Sequence, residues 1–187
     1  VEVTQREREL VERARRGDRA AFGSLVELHR ERAYSAALSL LRDHEEARDL
    51  SQEAFVRAFQ ALDRFDPARP FFPWYYRILR NRCLNHLKRH GPRRKVSLDA
   101  MCEEDHLQFE ARTEDPVRSI QAEQMSRHLR AAIGRLKPEF REIIVLYHFE
   151  EMSYRDIADS LRIPIGTVMS RLFHARRALA QLMEPHR

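Results

Sequence analysis

The chain has 187 residues, with 34 Lys or Arg against 29 Asp or Glu and a formal charge of +5, enough for one or two small domains with real cores. No apolar run reaches the roughly 20 residues that cross a bilayer, and the N-terminal VEVTQRERELVERARR is not a secretory leader, so a cytoplasmic protein without membrane insertion is expected. Cys83 and Cys102 are too few for a disulfide framework and form no C-x-x-C pair, which excludes a disulfide-stapled scaffold and leaves reduced thiols as the default, a buried inert one at Cys83.

Arg16-Gly17-Asp18 marks an early turn, after which Ala21, Phe22, Leu25, Val26, Leu28 and His29 open a helix that continues through Tyr34, Ala37, Leu38 and Leu41. Asp43, with Glu46 three residues on, can cap the next helix. That helix sets Ala47, Leu50, Ala54, Ala58, Ala61 and Leu62 along one face, yet Phe55, Val56 and Phe59 make its other side apolar as well, beside Asp49 and Gln52. Two readings fit equally: a second face offered to a partner, or full burial in a three- or four-helix bundle.

Asp66-Pro67-Ala68-Arg69-Pro70 reads as a loop, since two prolines forbid regular helix. A helix is predicted to start near Pro73, a favourable first-turn residue, and to run through WYYRILRNRCLNHLKRH. Ile78, Leu79, Cys83 and Leu87 face the core and Arg77, Arg80, Arg82 and Lys88 project outward, until Gly91-Pro92 ends it. From Arg77 to Lys95 there are eight basic residues and no acid, whereas from Asp99 to Asp115 there are seven acids against Arg112 alone. A basic block beside clustered aromatics is a nucleic-acid signal; the acidic stretch, which holds no period, reads as a tether.

Beyond it, one helix spans about Pro116 to Leu136 and another starts at Pro138, with Phe140, Ile143, Ile144 and Tyr147 on one face. Then comes MSYRDIADSLRIPIGTVMSRLFHARRAL, a complete helix-turn-helix. Ser153 and Asp156 form a weak capping box, and Ile157, Ala158 and Leu161 face inward. Pro164 breaks the pattern, having no N–H to donate. From about Ile165 a second helix carries Val168, Leu172, Ala175 and Leu179 in one stripe, leaving Met169, Ser170, Phe173, His174 and Arg177 on the side suited to base edges and phosphates in a major groove. The expected fold is therefore all-α: a helical domain over 1–92, a flexible acidic linker over 93–115, and a helix-turn-helix domain over 116–187.

Three patterns stand in fixed order: DLSQEAFVRAF from Asp49, FFPWYYRILRNRCLN from Phe71, and LKPEFREIIVL followed by the helix-turn-helix. Together, from about Asp18 to Met183, they resemble the extracytoplasmic-function sigma factors, the small two-domain members of the sigma-70 family. The resemblance implies that Asp49, Gln52, Glu53 and Phe55 dock on core RNA polymerase. It implies that Phe65, Phe71, Phe72, Trp74, Tyr75 and Tyr76 stack unpaired bases of the −10 element while Arg77, Arg80 and Arg82 hold phosphates and Asn81 and Asn85 contact base or backbone. About half of those aromatics are expected to be plain core. It further implies that the last helix reads the −35 duplex through Met169, Ser170, Phe173 and His174, with Arg155, Arg171 and Arg177 on phosphates. Promoter DNA and core polymerase are the implied partners, and an anti-sigma protein is common in the family. The linker would either imitate nucleic acid in the polymerase channel or simply act as a soluble tether.

Three residues depart from the family pattern: Arg162 where a turn glycine is usual, at roughly 1 kcal/mol if left-handed, Pro73 before Trp74, and His174 in place of an arginine. The competing readings are an enzyme and an operator-binding regulator. No H-E-x-x-H, Cys/His cluster, paired-carboxylate motif or glycine-rich phosphate loop occurs, and His86 and His90, one turn apart, lack further ligands, so no catalytic residue, metal or cofactor is expected. An operator-binding regulator explains the helix-turn-helix but neither DLSQEAF nor the aromatic-basic helix.

Overall fold

The structure, a computed structural model, describes residues 5–90 and 116–184. All regular structure among the described residues is helical. The acidic linker and Cys102 lie outside them.

Helix α1 (Gln5–Arg15) ends at Gly17, whose φ of 91° only glycine adopts without strain. Asp18 then caps α2 (Arg19–Leu41), its carboxylate accepting from the Ala21 N–H. Asp43 caps α3 (His44–Gln60) in the same way, accepting from the Glu46 N–H at 2.9 Å. Between them Arg42 takes a left-handed φ of 55° that closes α2. Alanine dominates the facing surfaces: Ala33, Ala36 and Ala37 on α2 and Ala47, Ala54 and Ala58 on α3 are all fully buried, which lets the two backbones approach closely.

A 3-10 turn (Leu62–Arg64) leads into the predicted proline loop. Helix α4 (Phe71–His90) begins two residues before the position expected from Pro73. Pro73 is tolerated at the third place because N–H groups of the first turn have no helical acceptor to lose. Helix α4 packs on α2 and α3 through Phe71, Phe72, Tyr75, Leu79 and Cys83.

The second half comprises α5 (Pro116–Arg135), α6 (Pro138–Ile144), a π-helical turn (Val145–Phe149), α7 (Tyr154–Leu161) and α8 (Ile165–Met183). The π turn and the left-handed Glu151 (φ 50°) bend the chain between α6 and α7. Helices α6, α7 and α8 and the π turn share a core of Ile143, Ile144, Leu146, Ile157, Leu161, Val168, Leu172 and Ala175. The two halves also meet: α4 packs on α7, and α2 on α6 and the π turn.

Candidate nucleic-acid interface

The helix-turn-helix forms as its residues require. Ser153 accepts from the Asp156 N–H at 3.1 Å while its hydroxyl donates to the Asp156 carboxylate at 2.6 Å. Helix α7 closes at Arg162, left-handed at φ 56° and ψ 47°, with the N–H groups of Arg162 and Ile163 both on the Ala158 carbonyl. Pro164 then opens α8, its carbonyl accepting from Thr167 and Val168. With Val168, Leu172 and Ala175 buried, the opposite side of α8 stands in solvent: Met169, Ser170, Phe173, His174 and Arg177, with Arg171 half-buried at its edge and Arg155 exposed on α7. Helix α8 contains no carboxylate. Arg176 turns away from this face, its guanidinium 5.1 Å from the Tyr147 ring and its Nε donating to Nε2 of His148 at 3.1 Å. Burial and then the nearby Arg176 hold His148 below its ordinary pKa, in keeping with a neutral ring that accepts this bond.

On α3 the outcome divides. Asp49 and Gln52 are exposed and Glu53 half-buried. Phe55, expected at a partner surface, is instead core: it is 6% exposed and stacks on Tyr75 at 4.2 Å. The exposed apolar side chains of this region are Val56 and Phe59, in register with Asp49 and Gln52 along one stripe, and Leu28 of α2. Glu53 accepts from Arg82 at 2.6 Å and from Arg57 at 3.1 Å, which ties α3 to α4. The Arg82 bond, foremost, holds its carboxyl below the usual range.

The aromatic segment is largely interior. Phe65, Phe71, Phe72, Tyr75 and Tyr76 are all buried, and of the expected base-stacking set Trp74 alone is half-exposed. Their flat faces are spent on one another and on α2: Phe71 and Phe72 lie 5.3 and 5.9 Å from the His29 ring, and Trp74 leans on Phe65 at 4.9 Å. His29 is itself buried, with Nε2 3.0 Å from Glu7 of α1. Tyr75 donates to the Ser51 carbonyl at 2.9 Å, and its burial raises its pKa. Beside it the Cys83 thiol is pushed up to about 12 by burial, matching the inert thiol expected. What α4 leaves accessible is its outer side: Arg77 and Arg80 half-buried, Asn81 and Asn85 exposed.

The second half covers the head of α4. Glu142 of α6 accepts from the Tyr76 hydroxyl at 2.7 Å and from Arg80 Nε at 2.6 Å. Ser160 of α7 donates to the Pro73 carbonyl at 3.1 Å, and Asp159 pairs loosely with Arg69 at 3.7 Å. Arg32 of α2 lies 4.0 Å over the Phe72 ring and donates to the Glu150 carboxylate at 2.9 Å and to its backbone carbonyl at 2.6 Å. Burial pushes Glu150 up to about 7 against the pull of Arg32. Arg32, Glu142 and Glu150 carried no sequence signal, because a charged residue among apolar neighbours reads equally well as solvated. Elsewhere, His86 sits 2.9 Å from Glu46 and stacks on His90 at 4.6 Å; among the described residues no group of three or more His, Cys, Asp or Glu is placed to hold a metal.

An all-α chain with a basic-faced helix-turn-helix and a polar-outside, aromatic-inside helix next to a proline loop defines a two-module transcription protein. Residues 25–93 match Sigma-70 region 2, and residues 126–179 match Sigma-70 region 4. The chain is 34% identical to the RNA polymerase sigma-H factor of Pseudomonas aeruginosa over 97% of its own length and 95% of that protein's. It is also 34% identical to the ECF RNA polymerase sigma-E factor of Escherichia coli, covering 94% and 93% of the two chains. In three dimensions it resembles CnrH, solved in complex with the cytosolic domain of CnrY, at TM-score 0.68 and 30% identity over 98% of this chain and all of that one. It also resembles the sigma factor RpoE of Bartonella quintana, solved with the anti-sigma factor NepR, at TM-score 0.69 and 25% identity over 89% and 98%. The chain belongs to the extracytoplasmic-function sigma factors of the sigma-70 family. It is an alternative sigma factor that directs promoter-specific transcription, and the operator-binding regulator is set aside.

Proposed function

We propose that this sigma factor divides its work among three surfaces. The exposed stripe of α3, with Asp49, Gln52, Val56 and Phe59 and with Glu53 at its edge, seats the chain on core RNA polymerase. Helix α8 enters the major groove of the −35 duplex, with Met169, Ser170, Phe173 and His174 toward the bases and Arg155, Arg171 and Arg177 on phosphates. Trp74, Arg77, Arg80, Asn81 and Asn85 serve the −10 strands. The buried Phe65, Phe71, Phe72 and Tyr75 act as the foundation under Trp74 rather than as stacking faces. Arg80 is engaged by Glu142, so the two halves must part before Arg80 meets DNA. The chain works by binding, in the cytoplasm where promoter and polymerase are, with no bond-making chemistry, metal or cofactor of its own.

The carboxylate-free, solvent-facing side of α8 carries this reading most directly. The solved relatives in complex with an anti-sigma factor or a cytosolic protein domain support a regulatory protein partner for this chain as well. Run-off transcription with core polymerase over a genomic fragment library tests the proposal: protected sites should pair a −35-like block with a melted −10 block. Failure to bind core, together with footprints of the free chain on palindromes, would refute it.

A further inference from the structure

Helix α8 presents an unusual base-facing edge. Ile165, Met169 and Phe173, four residues apart, form one stripe on the helix and are 50%, 55% and 62% exposed. They carry no hydrogen-bond donor, and their one acceptor is the weak thioether sulfur of Met169. A contiguous stripe of three large apolar side chains at such exposure marks an interaction surface. The charge around them selects that surface: this side of α8 holds Arg171 and Arg177 and no carboxylate, with Arg155 exposed on α7, so a polyanion fits and an acid-poor protein face does not. Adding a side chain at Gly166 would meet nothing within 4 Å, so the backbone is open to close approach along the same edge.

A major groove offers one apolar feature, the 5-methyl group of thymine. Guanine and cytosine edges set against Met169 or Phe173 would lose hydrogen bonds to water and gain none. We infer that Met169 and Phe173, with Ile165 at the head of the stripe, read thymine methyl groups, making this chain's −35 preference A·T-weighted at the positions they touch. Ser170 supports this choice. Its hydroxyl donates to the Thr167 carbonyl at 3.2 Å, which leaves lone pairs outward to accept from the N6 amino group of an adenine.

This inference rests on α8 being the −35 reader, and the experiment separates the two. Full-length chain with core polymerase is used to select −35 duplexes from a randomised pool, and the best duplex is remade with uracil in place of each thymine in turn. Each contacted methyl should be worth about fourfold in affinity. In Phe173→Ala or Met169→Ala, both solvent-exposed positions, the thymine–uracil affinity ratio should fall to one at one position each, a within-variant ratio from which any overall loss of affinity cancels. Putting 5-methylcytosine at the same positions should recover part of the loss. Equal affinity for thymine and uracil duplexes in the wild type, at a site that is still protected, overturns the inference alone. A difference that persists in both variants also overturns it and shows that another group touches the methyl. No protection of a −35 block overturns the −35 assignment and the inference with it.

Discussion

Glu142→Ala strips the carboxylate that joins α6 to the head of α4. Glu142 is buried and receives two kinds of donor, the Tyr76 hydroxyl at 2.7 Å and the Arg80 guanidinium at 2.6 and 3.3 Å. Truncation takes the acceptor from Tyr76, a residue 1% exposed, and leaves Arg80 with about a quarter of its side chain in water. Removing one member of a buried pair costs about 3–5 kcal/mol, and the partial exposure of Arg80 brings the expectation to the lower end, about 3 kcal/mol. Because Glu142 is on α6 and its donors on α4, the loss falls on packing between the halves, weakening it by on the order of a hundredfold. Trp74, the single tryptophan, adjoins the Pro73 carbonyl that Ser160 holds and is a built-in reporter. Its acrylamide quenching should rise in the variant while the far-ultraviolet dichroism of the helices stays unchanged. Glu142→Gln keeps an acceptor for Tyr76 and should show a smaller rise. If Glu142→Ala changes neither quenching nor the urea midpoint by more than about 0.5 kcal/mol, the interface does not depend on this carboxylate and the reasoning fails.

Other outcomes are equally direct. Glu150 is raised from 4.5 to about 7 in the folded chain, so the folded state keeps a proton that the unfolded chain releases; stability should fall by up to about 1.4 kcal/mol per pH unit between roughly 4.5 and 7 and level off above. Glu150→Gln should flatten that profile, read by urea unfolding, and an unaltered profile would show that another group is responsible. Arg162→Gly relieves a left-handed arginine on an exposed turn and should raise stability by about 0.5–1 kcal/mol in a thermal melt, the gain being limited by the freer unfolded chain. Arg177→Ala should weaken promoter binding across sequences and lower the log–log salt slope by about 0.9, measured by fluorescence anisotropy; an identical slope removes Arg177 from the phosphate contacts.

The helix-turn-helix was legible almost residue by residue, because its signals are local: Ser153 caps, Pro164 interrupts, and Val168, Leu172 and Ala175 repeat at helical spacing. Even the strained Arg162 was visible, as an arginine where the turn needs a left-handed residue. The aromatic segment was not legible in the same way. Phe71, Phe72, Trp74, Tyr75 and Tyr76 spread over an arc of about 200° around the first turns of α4, too wide for periodicity to say which of them are inside. Which side is covered depends on α2, α3 and α7, elements far away in the chain. The same blindness misassigned Phe55, whose exposed neighbours Val56 and Phe59 have the same apolar character. The π turn after α6 was hidden too, since a widened turn keeps the composition of the helix it interrupts.

The bond from Ser160 to position 73 ends on a main-chain oxygen. Every amino acid carries that atom, so no replacement at position 73 can delete the acceptor as such; only a shift of the local backbone can. The first turn of α4 can thus trade the side chain at position 73 for another that fits its buried place, while the seat for α7 is inherited intact.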